Sequence, residues 1–278
     1  MFGFAKVVVP WLVVCPLVVY GQVFDSVTIK PASASRETTM RLQILPNGDL
    51  IAHAVPPVML VSYAYSVPVN PSPLLSSLPD WTVRERYDVE AKAPVDAIPP
   101  GLPDSEKQSR MRQMIRRLLA DRFGLVMRVE EKAMPVYALT VAGGGSDLQR
   151  AATSQEGCLL DSDPQGCHTF VAGVGHPLDA KAIDMDDLAL YIENWTDLPV
   201  VNRTGLKGEF TVNTPGWLPM RLPPPPPNVT PAANPFAGLP TIFAVLGNLG
   251  LELRRQEEVL PVYTVERMER PSADGRQG

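Results

Sequence analysis

The stretch Gly124–Tyr137 reads GLVMRVEEKAMPVY, and the stretch Gly250–Tyr263 reads GLELRRQEEVLPVY. They lie 126 positions apart and, aligned without a gap, are identical at seven of fourteen positions. Chance can explain two or three such identities, but not seven in one ungapped alignment. We therefore predict an internal duplication, in which the repeated stretch forms equivalent elements of two similar halves.

A helix is predicted immediately before the first copy, over residues 104–124. Its apolar residues recur at the spacing of a single helix face: Met111, Met114, Ile115, Leu118, Leu119 and Phe123. Gly124 is expected to end this helix, because glycine readily adopts the left-handed conformation found just past a last turn. A shorter apolar stripe over residues 239–249 precedes Gly250 in the same way.

Each copy is predicted to form two strands joined by a turn. In the first copy the strands cover 125–129 and 136–141, with the turn near 131–134. In the second copy the strands cover 251–254 and 262–265. This arrangement would pack a hairpin against each preceding helix.

A helix and a strand are also predicted upstream in each half. The first half has Val58–Tyr65 and Tyr87–Ala91, and the second has a helix within 178–195 and a strand at Phe210–Val212. The predicted fold class is therefore α+β, with two helix–strand–helix–strand–strand lobes and helices packed on an antiparallel-rich sheet. The lobes either share one sheet or pack as a pseudo-symmetric pair.

The N-terminal region adds a strand at Phe24–Lys30 and a hairpin within Arg41–Val55, where Asn47-Gly48 separates two alternating arms. The predicted organisation is a signal peptide at 1–21, a first lobe at 22–148, a connector at 149–176, a second lobe at 177–271 with a proline-rich insertion at 215–240, and a disordered tail at 272–278. Five consecutive prolines at 223–227 favour a stiff polyproline II spacer there.

The first residues, MFGFAKVVVPWLVVCPLVVYGQ, carry the pattern of a secretory signal peptide. Lys6 precedes an apolar run at 7–20, and cleavage after Gly21 fits the small residues near it. A membrane anchor is the alternative, but the run is shorter than the ~20 residues of a spanning helix and contains two prolines. We expect an exported protein, periplasmic or extracellular, with no stable membrane span after cleavage.

Charge and cysteine content agree with that compartment. Loss of Lys6 would leave 24 basic residues against 30 acidic ones, a balance that disfavours nucleic acid as a partner. Cys158 and Cys167 would remain, and in an oxidising compartment their spacing favours a disulfide that closes a local loop. Free or metal-binding thiols are the alternative, although no fourth ligand stands at a zinc-like spacing.

Signatures of catalysis are missing from the sequence. The three histidines form no HExxH motif, and no G-x-S-x-G elbow, S-x-x-K, P-loop or dinucleotide fingerprint is found. Acidic pairs such as Glu130-Glu131 are adjacent, and adjacent residues of a strand point to opposite faces. We predict no catalytic residue, no metal and no cofactor, and we expect a protein that is not an enzyme.

The helix at 104–124 carries the most conspicuous charged surface. Arg112 and Arg116 lie one turn apart on it and are our candidate ligand-binding residues, together with Trp81 in a neighbouring loop. A solvated helix face is the alternative interpretation of these arginines.

Five segments together resemble a known family: FDSVTIKPAS (24–33), LPDWTVRERYDVEAKAP (78–94), the long stretch 111–148, PVVNRTGLKGEFTV (199–212) and PVYTVERMERP (261–271). The family comprises uncharacterised secreted proteins of soil Acidobacteria such as Solibacter, defined by a domain of unknown function (DUF3738). Asn202-Arg203 departs from the Asp-Lys pair usual there, and Met127-Arg128 replaces a pair that often contains histidine.

The resemblance implies no established activity. Some relatives carry this domain outside the membrane on an antirepressor-type metallopeptidase sensor, which implies sensing or binding. The helix–strand units are also similar to short periplasmic domains at the N-termini of secretins and TonB-dependent receptors. We expect an exported non-enzymatic binding or sensor-type protein of the cell envelope, with an envelope protein or a small molecule as partner. The alternatives are an exported hydrolase of envelope polymers or peptides, and an envelope structural or assembly module.

Overall fold

The computed structural model describes residues 23–32, 40–151, 168–170, 175–220, 236 and 238–272. The first half contains β1 (Ser26–Pro31), β2 (Arg41–Ile44), β3 (Leu50–Val55), α1 (Pro57–Tyr65), β4 (Leu75–Ser76), α2 (Trp81–Arg84), β5 (Tyr87–Lys92), α3 (Asp104–Phe123) and β6 (Val126–Val141). The second half contains β7 (Gln149–Arg150), β8 (His168–Phe170), β9 (Leu178–Ile183), α4 (Met185–Glu193), β10 (Val200–Asn202), β11 (Phe210–Thr214), α5 (Ile242–Gly247) and β12 (Leu251–Arg267). The predicted α+β class is confirmed.

Helix α3 forms where the apolar stripe predicts it. All six stripe residues are buried, and Gly124 follows the helix at φ 57°, the left-handed conformation expected of a glycine there. The Asn47-Gly48 turn is also confirmed, since β2 and β3 pair antiparallel on either side of it. Periodicity and turn chemistry thus predict these local elements well.

The predicted turn near 131–134 is wrong. Residues 126–141 form one continuous strand, β6, and residues 251–267 form another, β12, instead of two hairpins. The two strands pair antiparallel along almost their whole length, from Leu251 opposite Val141 to Val265 opposite Met127. We call this pair the ribbon.

Both strands contain a proline, and the positions of these prolines are compatible with the ribbon. The Tyr137 amide donates outward to Pro199 O at 2.8 Å, on the side away from β12. Because alternate residues of a strand direct their amides to the same side, Pro135 lacks only an outward N–H and no ribbon bond is lost. Pro261 and Tyr263 repeat this arrangement, with the Tyr263 amide donating to Leu74 O at 2.8 Å.

The ribbon register relates the two repeated stretches to each other. Ala133 lies opposite Val259, and these positions are also 126 apart, so equivalent residues face each other at its centre. The pairing is therefore what a two-fold axis between Ala133 and Val259 would produce. The two halves meet within one sheet, although their origin by duplication stays a prediction.

Each half also has its own four-stranded sheet with the same connectivity. Within the described residues the orders are β1-β5-β3-β2 in the first half and β7-β11-β9-β8 in the second, and the ribbon sheet has the order β10-β6-β12-β4. Strands β3 and β9 share one pattern of buried and exposed residues, and each leads directly into a helix, α1 or α4.

Two hydrophobic cores lie at opposite ends of the ribbon. Leu125, Val265 and Met268 pack into the first core with α1 and α3, while Leu139, Leu251 and Leu253 pack into the second with α4 and α5. Each long strand therefore begins in the core of its own half and ends in the core of the other. This exchange holds the two halves together.

Several predictions concern parts of the chain outside the described residues: the signal peptide at 1–21, Cys158 and Cys167, most of the proline-rich insertion, and the tail beyond 272. Across the described ranges, no helix is long and apolar enough to cross a membrane.

Candidate ligand-binding site

A cavity of about 410 Å³ lies where the two halves face each other beside the ribbon. We call it the central cavity. The first half contributes the end of α1, one face of α3 and Leu74, and the second half contributes α4 and β10. Strand β12 supplies Leu260, Pro261 and Tyr263. The lining thus depends on the packing of both halves.

Part of the lining is apolar and aromatic. Val67, Leu74 and Val262 form a small buried cluster next to the ribbon, with Leu260 packed against it. The rings of Tyr65 and Tyr263 meet edge to face, with their centroids 5.1 Å apart. This wall can receive the apolar body of a small molecule.

Arg112 and Arg116 also line the central cavity, beside this aromatic wall. Arg112 donates from Nη2 to Gln108 Oε1 at 3.2 Å, and its guanidinium lies 5.7 Å from the Tyr63 ring centroid. Arg116 donates from Nε to Ala64 O at 2.7 Å and lies 4.7 Å from the Tyr65 ring centroid. Both side chains are therefore oriented by neutral acceptors and aromatic rings.

Other arginines of α3 are paired differently. Arg110 contacts the Glu106 carboxylate at 2.8 Å, and Arg117 contacts that of Asp121 at 2.8 Å, each one turn away on the same helix. In the described part of the chain, no carboxylate lies within hydrogen-bond distance of Arg112 or Arg116. The nearest ion-pair contact is from Arg112 Nη2 to Asp187 Oδ1, at 4.0 Å.

Asp187 faces Arg112 from the first turn of α4. Asp184 caps this helix, accepting hydrogen bonds from the amides of Asp186 and Asp187. Burial raises the pKa of Asp187 to about 7; the Asp184 and Asp186 carboxylates act in the same direction, while Arg112 and Gln108 oppose them. The carboxyl group thus resists ionisation despite the nearby guanidinium and the helix N-terminus.

Polar contacts at the end of α4 join the halves beside the central cavity. Buried Glu193 accepts from Ser72 Oγ and from the Val200 amide, both at 3.2 Å. Asn194 Oδ1 accepts from the amides of Val69 and Asn70 at 3.0 and 3.3 Å. These bonds fix the segment after α1 against the second half and so help to hold the lining in place.

Comparison with known families adds a further finding. Residues 58–268, about three quarters of the chain, match the model of a family described as "Protein of unknown function (DUF3738)". The chain belongs to this family. The matched region includes both strands of the ribbon and the central cavity, so the DUF3738 domain contains both halves of the site. No curated protein and no solved structure matches the chain.

The candidate residues are only partly brought together in this DUF3738 member. Arg112 and Arg116 both line the central cavity, whereas Trp81 lies apart from it in the first core. The Trp81 ring stacks near Phe123 with centroids 6.5 Å apart, and Arg270 covers it at 5.4 Å. Trp81 therefore has a packing contact where we predicted a ligand contact.

Sequence reasoning missed the residues that face the two arginines. Asp187, Tyr65, Glu193 and Tyr263 were not predicted as site residues. No local pattern identifies them, because they come from separate elements that the ribbon brings together. Among the described residues, no group of three or more His, Cys, Asp or Glu side chains is placed to hold a metal ion.

Proposed function

We propose that this DUF3738 member is an exported binding or sensor-type protein that holds a small ligand in the central cavity without converting it. The main support is a cavity of about 410 Å³ with an apolar wall and two arginines that have no carboxylate within hydrogen-bond distance among the described residues. Small-molecule sites typically occupy ~300–1,000 Å³ and combine apolar walls with a few convergent polar groups.

The position of the central cavity supports this role. Ligand sites favour the junctions between lobes, where one molecule can contact both. A ligand here would contact α3 of the first half and α4 of the second, and would stabilise their packing. Binding would thereby couple to the relative placement of the halves, as sensing requires.

A thermal-shift screen of envelope metabolites tests the proposal. A ligand that binds the folded state raises the melting temperature. Leu190 lines the central cavity, so Leu190→Trp should fill it and abolish the shift. Val95→Trp is the matched control because Val95 is 95% exposed and lies outside the lining. A shift that survives equally in both variants would place the ligand elsewhere.

We also propose that the protein is exported. We further propose that it comes from Acidobacteria, like the secreted proteins that it resembles. The support is the sequence at 1–21, with Lys6, the following apolar run and small residues near Gly21. N-terminal sequencing of the protein recovered from its host should begin at Gln22. Recovery of an intact Met1 from the cytoplasm would contradict export.

A hydrolase is the second candidate function, and Asp187 is the observation that favours it. A carboxyl group with a pKa of about 7 in a cavity has the properties of a general acid. Release of products from wall polymers or peptides, lost in Asp187→Asn, would support this function. Ligand binding without product release in the same assays would support the binding proposal.

A further inference from the structure

We propose that the group recognised in the central cavity is a carboxylate, held jointly by Arg112 and Arg116. This inference rests on the proposed function and specifies its ligand as an organic anion with an apolar or aromatic body. The two arginines lie one turn apart on α3 and both line the cavity, so one anionic group can approach both.

The hydrogen-bonding capacity of the two arginines is not used up by the protein. Arg112 Nε is buried without a partner among the described residues, and Arg112 Nη2 has only the neutral Gln108 oxygen within hydrogen-bond distance. Within the part of the chain that the structure describes, Arg116 donates only to the Ala64 carbonyl. By contrast, Arg110 and Arg117 on the same helix each have a carboxylate at 2.8 Å. Among the described residues, Arg112 and Arg116 thus differ from Arg110 and Arg117 in having no carboxylate within hydrogen-bond distance.

Among the described residues, the acidic side chains of the lining form no hydrogen bond to the two guanidinium groups. Glu193 accepts hydrogen bonds from Ser72 and from the Val200 amide, and Asp186 accepts from Asn202 Nδ2 at 2.9 Å. Asp187 stays 4.0 Å from Arg112, and its raised pKa keeps part of its population neutral near pH 7. A carboxylate from outside can thus form the charge-assisted, fork-like bonds that the guanidinium groups lack.

The remaining lining fits the rest of such a molecule. The Tyr65 and Tyr263 rings, Leu74 and Leu260 form the wall beside the arginines. An aryl or alkyl group placed there would be removed from water while its carboxylate reaches Arg112 and Arg116. Affinity would then come from apolar burial, and specificity from the two guanidinium groups.

Three probes with one ring and different charges test this inference: phenylacetate, phenylacetamide and 2-phenylethylamine. Their dissociation constants would be measured by titration with ligand-observed NMR. We expect phenylacetate to bind about tenfold or more tightly than the amide, since only the anion forms charge-assisted bonds. The amine should bind most weakly.

Two double variants of α3 localise the effect. Arg112→Gln with Arg116→Gln should weaken phenylacetate binding about tenfold or more, towards the affinity of the amide. Arg110→Gln with Arg117→Gln makes the same change in net charge on the same helix and should leave binding within about twofold. If both double variants lose the same affinity for phenylacetate, long-range charge alone explains the effect and the inference is overturned.

The probes also separate this inference from the proposed function. If the amide or the amine binds as well as phenylacetate, and Leu190→Trp abolishes that binding, the cavity binds ligands but the carboxylate assignment is wrong. If none of the three probes binds, the carboxylate inference fails as well. The metabolite screen with Leu190→Trp then decides the proposed function alone.

Discussion

Arg112 and Asp187 both line the central cavity, with Nη2 and Oδ1 4.0 Å apart. The arginine belongs to the first half and the aspartate to the second, so this contact spans the junction between them. The separation exceeds the ~2.7–2.9 Å of a charge-assisted hydrogen bond. The pair therefore leaves Arg112 able to accept an additional anionic partner.

The raised pKa of Asp187 predicts a pH-dependent stability. Its pKa rises from an ordinary value of 3.8 to about 7 on folding, so the folded chain binds this proton more tightly than the unfolded chain does. That contribution stabilises the fold at acidic pH and is lost as the pH rises from about 4 to about 7. Above this range the ionised carboxylate remains in a partly buried site at a cost.

Asp187→Asn imitates the protonated side chain and should raise the melting temperature at pH 8. An effect on the order of 1 kcal/mol corresponds to about 2–4 °C for a chain of this size. The difference from the wild type should disappear near pH 4, where both side chains are neutral. Melting curves at the two pH values check this, and an equal difference at both would contradict the assignment to Asp187.

The ribbon predicts unequal tolerance of proline at adjacent exposed positions. Lys132, Met134 and Val136 are alternate residues of β6, so their amides point to the same side. The Lys132 amide therefore points inward, toward Leu260 in β12. The Ala133 amide points outward, as at Pro135. Lys132→Pro should therefore cost about 3 kcal/mol of unfolding free energy through a lost ribbon bond, and Ala133→Pro distinctly less.

Urea denaturation of the two variants measures this difference. Both side chains are exposed, so loss of core packing does not affect the comparison. If residues 131–134 formed the turn predicted from sequence, the destabilisation caused by each proline would not depend on whether the replaced amide points toward β12 or away from it. Equal destabilisation by the two substitutions would count against the continuous strand.

The two glycines that open the repeated stretches should differ in their tolerance of alanine. Both have positive φ, 57° at Gly124 and 68° at Gly250, so alanine costs about 1–2 kcal/mol at either from conformation alone. A methyl group at Gly250 would also meet Gly145 O and lie 2.8 Å from Ser146 Cα. At Gly124 its nearest neighbours would be side-chain atoms of Glu269, the closest at 3.7 Å.

Gly250→Ala should therefore destabilise the protein by at least about 2 kcal/mol more than Gly124→Ala. The backbone at 145–147 must move to accommodate it, whereas Glu269 is an exposed, flexible side chain. Chemical denaturation of both variants provides the comparison. Equal losses would show that the packing of 145–147 against Gly250 contributes nothing.

The sequence predicts those parts of the fold that depend on local patterns. The stripe from Met111 to Phe123 specifies α3, and Asn47-Gly48 specifies a turn, because each acts within a few neighbouring residues. The predicted turn near 131–134 is wrong because pairing with β12, more than a hundred residues further along the chain, keeps residues 126–141 in one strand.

The same distinction applies to the candidate site. Arg112 and Arg116 can be found from their spacing on one helix, and both line the central cavity. Asp187, Glu193 and Tyr263 cannot, since only the ribbon and the packing of α4 bring them to α3. Trp81 was selected as a loop aromatic, but its sequence context does not reveal that Phe123 and Arg270 cover its ring.

Native mass spectrometry after incubation with envelope extract tests whether the central cavity binds a small molecule. We predict a small-molecule adduct on the wild-type chain and on Val95→Trp, lost under denaturing conditions and absent from Leu190→Trp. A folded wild-type chain that acquires no adduct, or an adduct that persists equally in Leu190→Trp, would contradict ligand binding in the central cavity.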